Sequence, residues 1–89
     1  MGKWDEAAAF LGLPEDTVRG FPRIQAAGNL RLRLENHRGV ERMTEEEIAF
    51  GTARGQVRIL GEGLTLSLLD RDEAVIAGRI RQVDLTDLS

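Results

Sequence analysis

Reactive chemistry in this chain would have to begin at His37, its single histidine, which lies two residues after Glu35 in the run GNLRLRLENHRGV, residues 28–40. An imidazole beside a carboxylate can act as a general acid–base pair. The same positions also read as a turn, with His37 either exposed or hydrogen-bonded to backbone, and this is the more economical reading. Nothing else reactive accompanies it. The chain has no cysteine, which removes thiolate nucleophiles, disulfides and thiolate metal sites. A serine nucleophile would be Ser67 or Ser89, neither set in the strand–turn–helix context that activates one. A zinc site with one histidine would rest on carboxylates, against the usual ligand preference. Asp70-Arg71-Asp72-Glu73 gathers acids, but it lacks the spaced oxygen ligands and central glycine of a calcium loop. The glycine-containing links lead into strands, so none can cradle phosphate at a helix start. We therefore assign no catalytic residue, metal ligand or cofactor, and no small-molecule substrate is evident.

Arg31, Arg33, Arg38 and Arg42 suggest a second kind of chemistry, the binding of nucleic acid. Arg31 and Arg33 would project from one side of a strand, about 6.5–7 Å apart. Stacking platforms need aromatic side chains among the cations, yet Trp4, Phe10, Phe21 and Phe50 all lie elsewhere. The formal net charge of −3 also opposes a polyanion partner. A regulator using the Arg31/Arg33 strand is thus the alternative reading rather than the main one.

The elements that position these residues are mainly β. Leu30, Leu32 and Leu34 alternate with Arg31, Arg33 and Glu35, the period of a half-buried strand, and all three leucines are expected in the core. Asn36 to Gly39 supplies turn chemistry, with Asn36 closing the turn through its side chain and Gly39 taking a positive φ. Further apolar runs follow at Ile24/Ala26, Val40–Met43, Ile48/Phe50, Val57/Ile59, Leu64/Leu66/Leu68, Val75–Ala77 and Ile80/Val83/Leu85, making eight strands. The phase slip between Ile80 and Val83 predicts a bulge. Ala53-Arg54-Gly55 has the same form as His37-Arg38-Gly39, and both read as tight hairpins with a late glycine. Gly61-Glu62-Gly63 reads as another link. Thr44-x-x-Glu47 fits a helix-capping box, but Gly51 and Gly55 would break such a helix, so Thr44-Glu45 is read as a turn. The links are too short for parallel crossovers. The expected fold is an antiparallel meander closed into a small sandwich or roll, with a short β-solenoid as the architectural alternative.

Before the strands, residues 3–11 read as a short amphipathic helix with Trp4 as its docking anchor, and residues 14–18 as one further helical turn. A helix this short does not persist alone in water. The chain thus divides into a helical segment, 1–22, and a β domain, 23–89, within one domain overall. At 89 residues it buries only about 60% of its unfolded surface, so association is a natural supplement to its core. Charge is segregated: residues 23–42 carry five arginines against Glu35 and Glu41, between acidic flanks. No secretory leader or 18-residue apolar run occurs, which implies a cytoplasmic protein without direct membrane insertion.

LPEDTVRGFPRI, the GN pair, LENHRGV, ILGEGLTL and the closing GRIRQVDL, in this order and spacing, resemble the YabP/YqfC sporulation protein family, most closely its YqfC branch. The likeness spans residues 13–85, and residues 34–40 are its most specific piece. Met43 departs from it, standing where the family often has an aromatic residue, and the arginine-rich LRLRL strand is unusual. The resemblance implies a protein without enzymatic activity, made in the mother cell of a sporulating bacterium. It implies action beside a YqfD-type membrane protein, while self-assembly is offered by unpaired strand edges, whose N–H and C=O groups can accept another strand. Only the turn motif carries over by residue, at Asn36, His37 and Gly39. Asn36 and His37, with Arg31, Arg33 and Arg38, form the candidate partner-contact surface, while Gly39 and Gly55 form turns. Neither packing nor turn closure demands a histidine at 37, so His37→Ala is expected to leave stability nearly unchanged.

Overall fold

The computed structural model describes residues 20–89. The expected helices at 3–11 and 14–18 and the Trp4 anchor lie outside the described residues, while residues 20–22, the end of the expected helical segment 1–22, are not helical. Six strands follow: β1 (Arg23–Ala27), β2 (Arg31–Glu35), β3 (Val40–Met43), β4 (Glu47–Thr52), β5 (Gly55–Leu69) and β6 (Glu73–Asp84). They form one antiparallel sheet in the order β1-β2-β6-β5-β4-β3. β1 and β3 are its edges. The sheet is therefore open, and the expected pair of packed sheets gives way to a single ladder. Antiparallel pairing throughout leaves no place for the stacked parallel rungs of a solenoid.

Eight apolar runs become six strands because the glycines between them do not end a strand. Val57/Ile59 and Leu64/Leu66/Leu68 lie on the one strand β5, and Val75–Ala77 joins Ile80 and Val83 on β6. Gly61-Glu62-Gly63 is strand interior, absorbed by register shifts at Leu60/Gly61 and between Glu62 and Thr65. The bulge expected between Ile80 and Val83 is present: Leu60 lies opposite Gln82 and Gly61 opposite Ile80, leaving Arg81 as the extra residue.

The hairpins are settled by side-chain oxygens as well as glycines. At the β3–β4 turn, Thr44 Oγ1 accepts the N–H groups of Glu46 (3.1 Å) and Glu47 (2.8 Å), so the capping-box threonine caps a turn instead of a helix. Gly55 follows the Ala53-Arg54 loop with φ +135°, as expected of a late hairpin glycine. The companion expectation for Asn36 to Gly39 is overturned. β2 pairs with β1 and β6, while β3 is the far edge, so residues 36–39 cross the sheet instead of joining neighbours. The meander is limited to β3-β4-β5-β6.

This crossover reveals a bend. Asn36 N–H donates to Asp72 O (2.6 Å), at the tip beyond the end of β5, and Arg38 N–H donates to Gly51 O (2.7 Å) on β4. Gly51 lies opposite Gln56, near the start of β5. Along a straight strand Gln56 and Leu69 would stand roughly 40 Å apart. Two residues of crossover span only about 7 Å, so the β5–β6 hairpin must double back. Glycines permit it. A side chain at Gly61 would run into the Arg79 carbonyl, and one at Gly78 would lie 2.6 Å from the Gly63 carbonyl. Gly63 (φ +60°) and Gly78 (φ +131°) also hold conformations that side chains disfavour.

The doubled sheet encloses one core. Leu32 and Leu34 of β2, Ile48 and Phe50 of β4, Val57, Ile59 and Leu64 of β5, and Ala74, Ile76 and Ile80 of β6 form a single buried cluster. Leu30 is not part of it. It lies in the β1–β2 turn, outside β2, and is 65% exposed, which corrects the three-leucine core. Leu68 also leaves the core, because a register shift between Leu66 and Leu68 rotates it away.

If close approach at the bend is what Gly61 supplies, Gly61→Ala should lower stability by about 3 kcal/mol in denaturant unfolding. Gly28→Ala, at φ +59° in open space, should incur only backbone strain of about 1–2 kcal/mol. Equal losses would show that the bend does not depend on that contact.

Candidate functional site

β2 ends at Glu35, and the next four residues leave the sheet plane to reach β4. Each of them makes a contact that holds separate parts of the chain together. Asn36 adopts φ +74°, a left-handed conformation that asparagine tolerates better than most residues. Its Nδ2 donates to Phe21 O (2.9 Å), so its side chain fastens the entering chain, a different role from closing its own turn. His37 is buried, 4% exposed, with its ring 5.2 Å from that of Phe50. Its Nδ1 accepts the Gly39 N–H (3.0 Å), which places the proton of the neutral ring on Nε2. Arg38 and Gly39 then pair with Gly51, whose N–H donates to Gly39 O (3.0 Å).

The backbone-bonded histidine turn is therefore present, but the expectation that packing does not need His37 is wrong. Its ring fills the space over Phe50 where the crossover meets β4, and its buried ring has no surface to offer a partner. The missed signal was an aromatic-sized side chain between two backbone anchors. Glu35 does not serve it as an acid–base partner; that carboxylate pairs with Arg33 (3.3 Å) and Arg23 (3.8 Å).

The four arginines are not gathered into one surface. Arg31 and Arg33 do share the outer face of β2, alternating with buried Leu32 and Leu34. Arg33 is held by Glu35 and by Glu73 across the β2–β6 ladder. Arg42 lies on the opposite edge strand and pairs with Glu47 (3.1 Å). Arg38 sits on the crossover, exposed. Of these four, Arg31 and Arg38 have no ion pair among the described residues.

A polar network not anticipated from the sequence lies on the outer face of β3, β4 and β5. Glu41, Arg42, Glu47, Ala49, Gln56 and Arg58 line a shallow open groove. Arg58 donates to Glu47 (3.3 Å) and to Asp84 (2.7 Å). Asp84 also accepts the Thr86 hydroxyl (2.6 Å) and N–H (2.9 Å). The Arg58 guanidinium, with Thr86 adding to it, holds the Asp84 carboxyl well below the usual carboxylate range. Arg42 and Arg58 each face a carboxylate, while Glu41 accepts the Gln56 amide (2.7 Å) and has no ion pair among the described residues, so the groove gathers no anion clamp. No three His, Cys, Asp or Glu residues that could hold a metal gather among the described residues. No helix among them is long and apolar enough to cross a membrane.

Both termini of the described chain meet at the β4–β5 hairpin. The Arg54 guanidinium lies 4.6 Å from the Phe21 ring centre, and Ser89 N–H donates to Arg54 O (3.0 Å). Leu88 packs against the core, and a side chain at Gly55 would meet the Asp87 carbonyl.

The segment that does this closing, residues 34–40, is also the piece by which the sequence resembled known proteins. The YabP family model matches residues 22–89, which covers the whole sheet. The chain belongs to the YabP family. It is 31% identical over 70 residues to a Bacillus subtilis (strain 168) protein named Uncharacterized protein YqfC, covering 79% of this chain and 75% of that one. No solved structure matches it.

His37→Ala should cost about 2–4 kcal/mol, because it opens a cavity over Phe50 and strands the Gly39 N–H. A change under about 0.5 kcal/mol in chemical denaturation would reject the packing role. For Asp84, the folded carboxyl binds its proton less readily than the unfolded one, so its stabilisation is complete above about pH 4 and fades as pH falls. Asp84→Asn should therefore lower the melting temperature at pH 7, and its difference from the parent should shrink below about pH 4. A gap that persists at low pH would reject the charge as its cause.

Proposed function

We propose that this YabP-family chain is a non-enzymatic sporulation protein, a small β-domain that works in the mother cell by docking. It associates with copies of itself or with a membrane-associated protein of the YqfD type. Family membership supports the sporulation setting. One observation carries the non-enzymatic reading: the residues best suited to chemistry are spent on structure. His37 packs on Phe50, Asn36 holds Phe21, and Arg58 is shared between Glu47 and Asp84. What remains for function is surface, namely backbone edges, exposed leucines and the unpaired Arg31 and Arg38.

Arg31 is a cleaner probe of partner contact than Arg33. Reversing Arg33 would set a third carboxylate beside Glu35 and Glu73 and strain the sheet itself. Deleting the gene in its sporulating host should reduce heat-resistant spores without slowing vegetative growth; an undiminished spore count would reject the proposal. Tagged protein should recover the host's YqfD-type protein from detergent-solubilised membranes, and Arg31→Glu should reduce that recovery. If the parent protein recovers none, the heterologous arm fails and self-association remains.

A further inference from the structure

β5 is a central strand for only part of its length. β4 pairs with Gly55–Leu60, whereas Thr65–Leu69 pairs with β6 alone. Leu64 N–H donates to Glu45 O (2.8 Å), so the β3–β4 turn stops where this second half begins. Beyond it, the other side of Thr65–Leu69 has no backbone partner among the described residues. The shortness of β4 thus leaves a third edge, besides β1 and β3, without a strand partner among the described residues.

The three edges differ chemically. β1 carries Arg23 and Gln25, and β3 carries Glu41 and Arg42, charged and polar side chains that blunt edge-to-edge pairing. Thr65-Leu66-Ser67-Leu68-Leu69 has no charged residue. Leu68 and Leu69 are 41% and 50% exposed, since the register shift at Ser67 turns Leu68 off the core. An uncharged edge with exposed leucines is what strand pairing uses: main-chain hydrogen bonds for affinity, apolar side chains for fit.

We propose that a second copy of this chain pairs antiparallel with Thr65–Leu69, forming a two-fold dimer centred near Ser67. This deepens the self-association arm of the function proposed above and rests on it. Run antiparallel against itself about Ser67, the segment sets Leu66 opposite Leu68 and brings no like charges together within those five residues. The edge offers only backbone and leucine to recognise, and an identical edge matches both. A two-fold contact of this kind closes at two copies.

An edge contact buries less than the ~1,600 Å² of a standard interface, so the dimer should form at tens of micromolar and dissociate on dilution. Light scattering of the full chain should then read twice the 9.9 kDa monomer mass. Leu68→Lys should return the monomer mass while unfolding at nearly the same temperature, because Leu68 is already exposed. With no native cysteine, Ser67→Cys should form a cross-linked dimer under copper–phenanthroline oxidation, and Gln25→Cys on β1 should not. A monomer at every concentration up to about 200 µM, an assembly larger than two, or preferential cross-linking through Gln25→Cys would each overturn the proposal. The spore count and the YqfD-type recovery are read independently, so failure here leaves the docking function itself standing.

Discussion

The doubling-back of the β5–β6 hairpin is the constraint on which the rest of the structure depends. Fifteen- and twelve-residue strands left straight would make a long ribbon with too little apolar surface covered on either face. Bent at Gly61, Gly63 and Gly78, the same ribbon brings β2 and β4 around one core, although β5 and β6 lie between them in the sheet. The physical requirement is close backbone approach. Carbonyls of Arg79 and Gly63 occupy the space that side chains at Gly61 and Gly78 would need.

A bent hairpin also needs closing, and the crossover after β2 does that. Within four residues it bonds the hairpin tip at Asp72, the entering chain at Phe21 and β4 at Gly51, and it buries an imidazole against Phe50. Buried backbone groups left without partners would cost more than their bonds return, so the crossover has little freedom in which residues it uses. Asparagine supplies both the left-handed conformation and a long-reaching donor. Histidine supplies an aromatic surface with an acceptor for the nearby Gly39 N–H.

His37, Asn36 and Arg58 are tied into the fold, with Nε2 of His37 and Nε of Arg58 buried without a hydrogen-bond partner among the described residues. β4, only six residues long, leaves Thr65–Leu69 of β5 uncovered. Charged residues guard the two outermost strands, but not this one.

Much of this was legible in the residues. Alternation placed β2 and its buried Leu32 and Leu34, Thr44 marked the β3–β4 turn, Gly55 the next hairpin, and the slip from Ile80 to Val83 a bulge. These are local facts, set by side-chain period and backbone conformation within a few positions. Other features were not readable, because they depend on partners far along the chain. A glycine that ends a strand and one that lets a strand bend look alike until Arg79 is known to lie against Gly61. His37 looked like a spare turn residue until Phe50 lay beneath it, thirteen positions away. Asn36, His37 and Gly39 had the composition of a hairpin, yet β6 took the place beside β2 and turned that link into a crossover. The sequence by itself determined the apolar alternation within the strands and the turns at Thr44 and Gly55. Tertiary structure decided which strands became neighbours, because that choice rests on burying one shared apolar surface, which no single segment encodes.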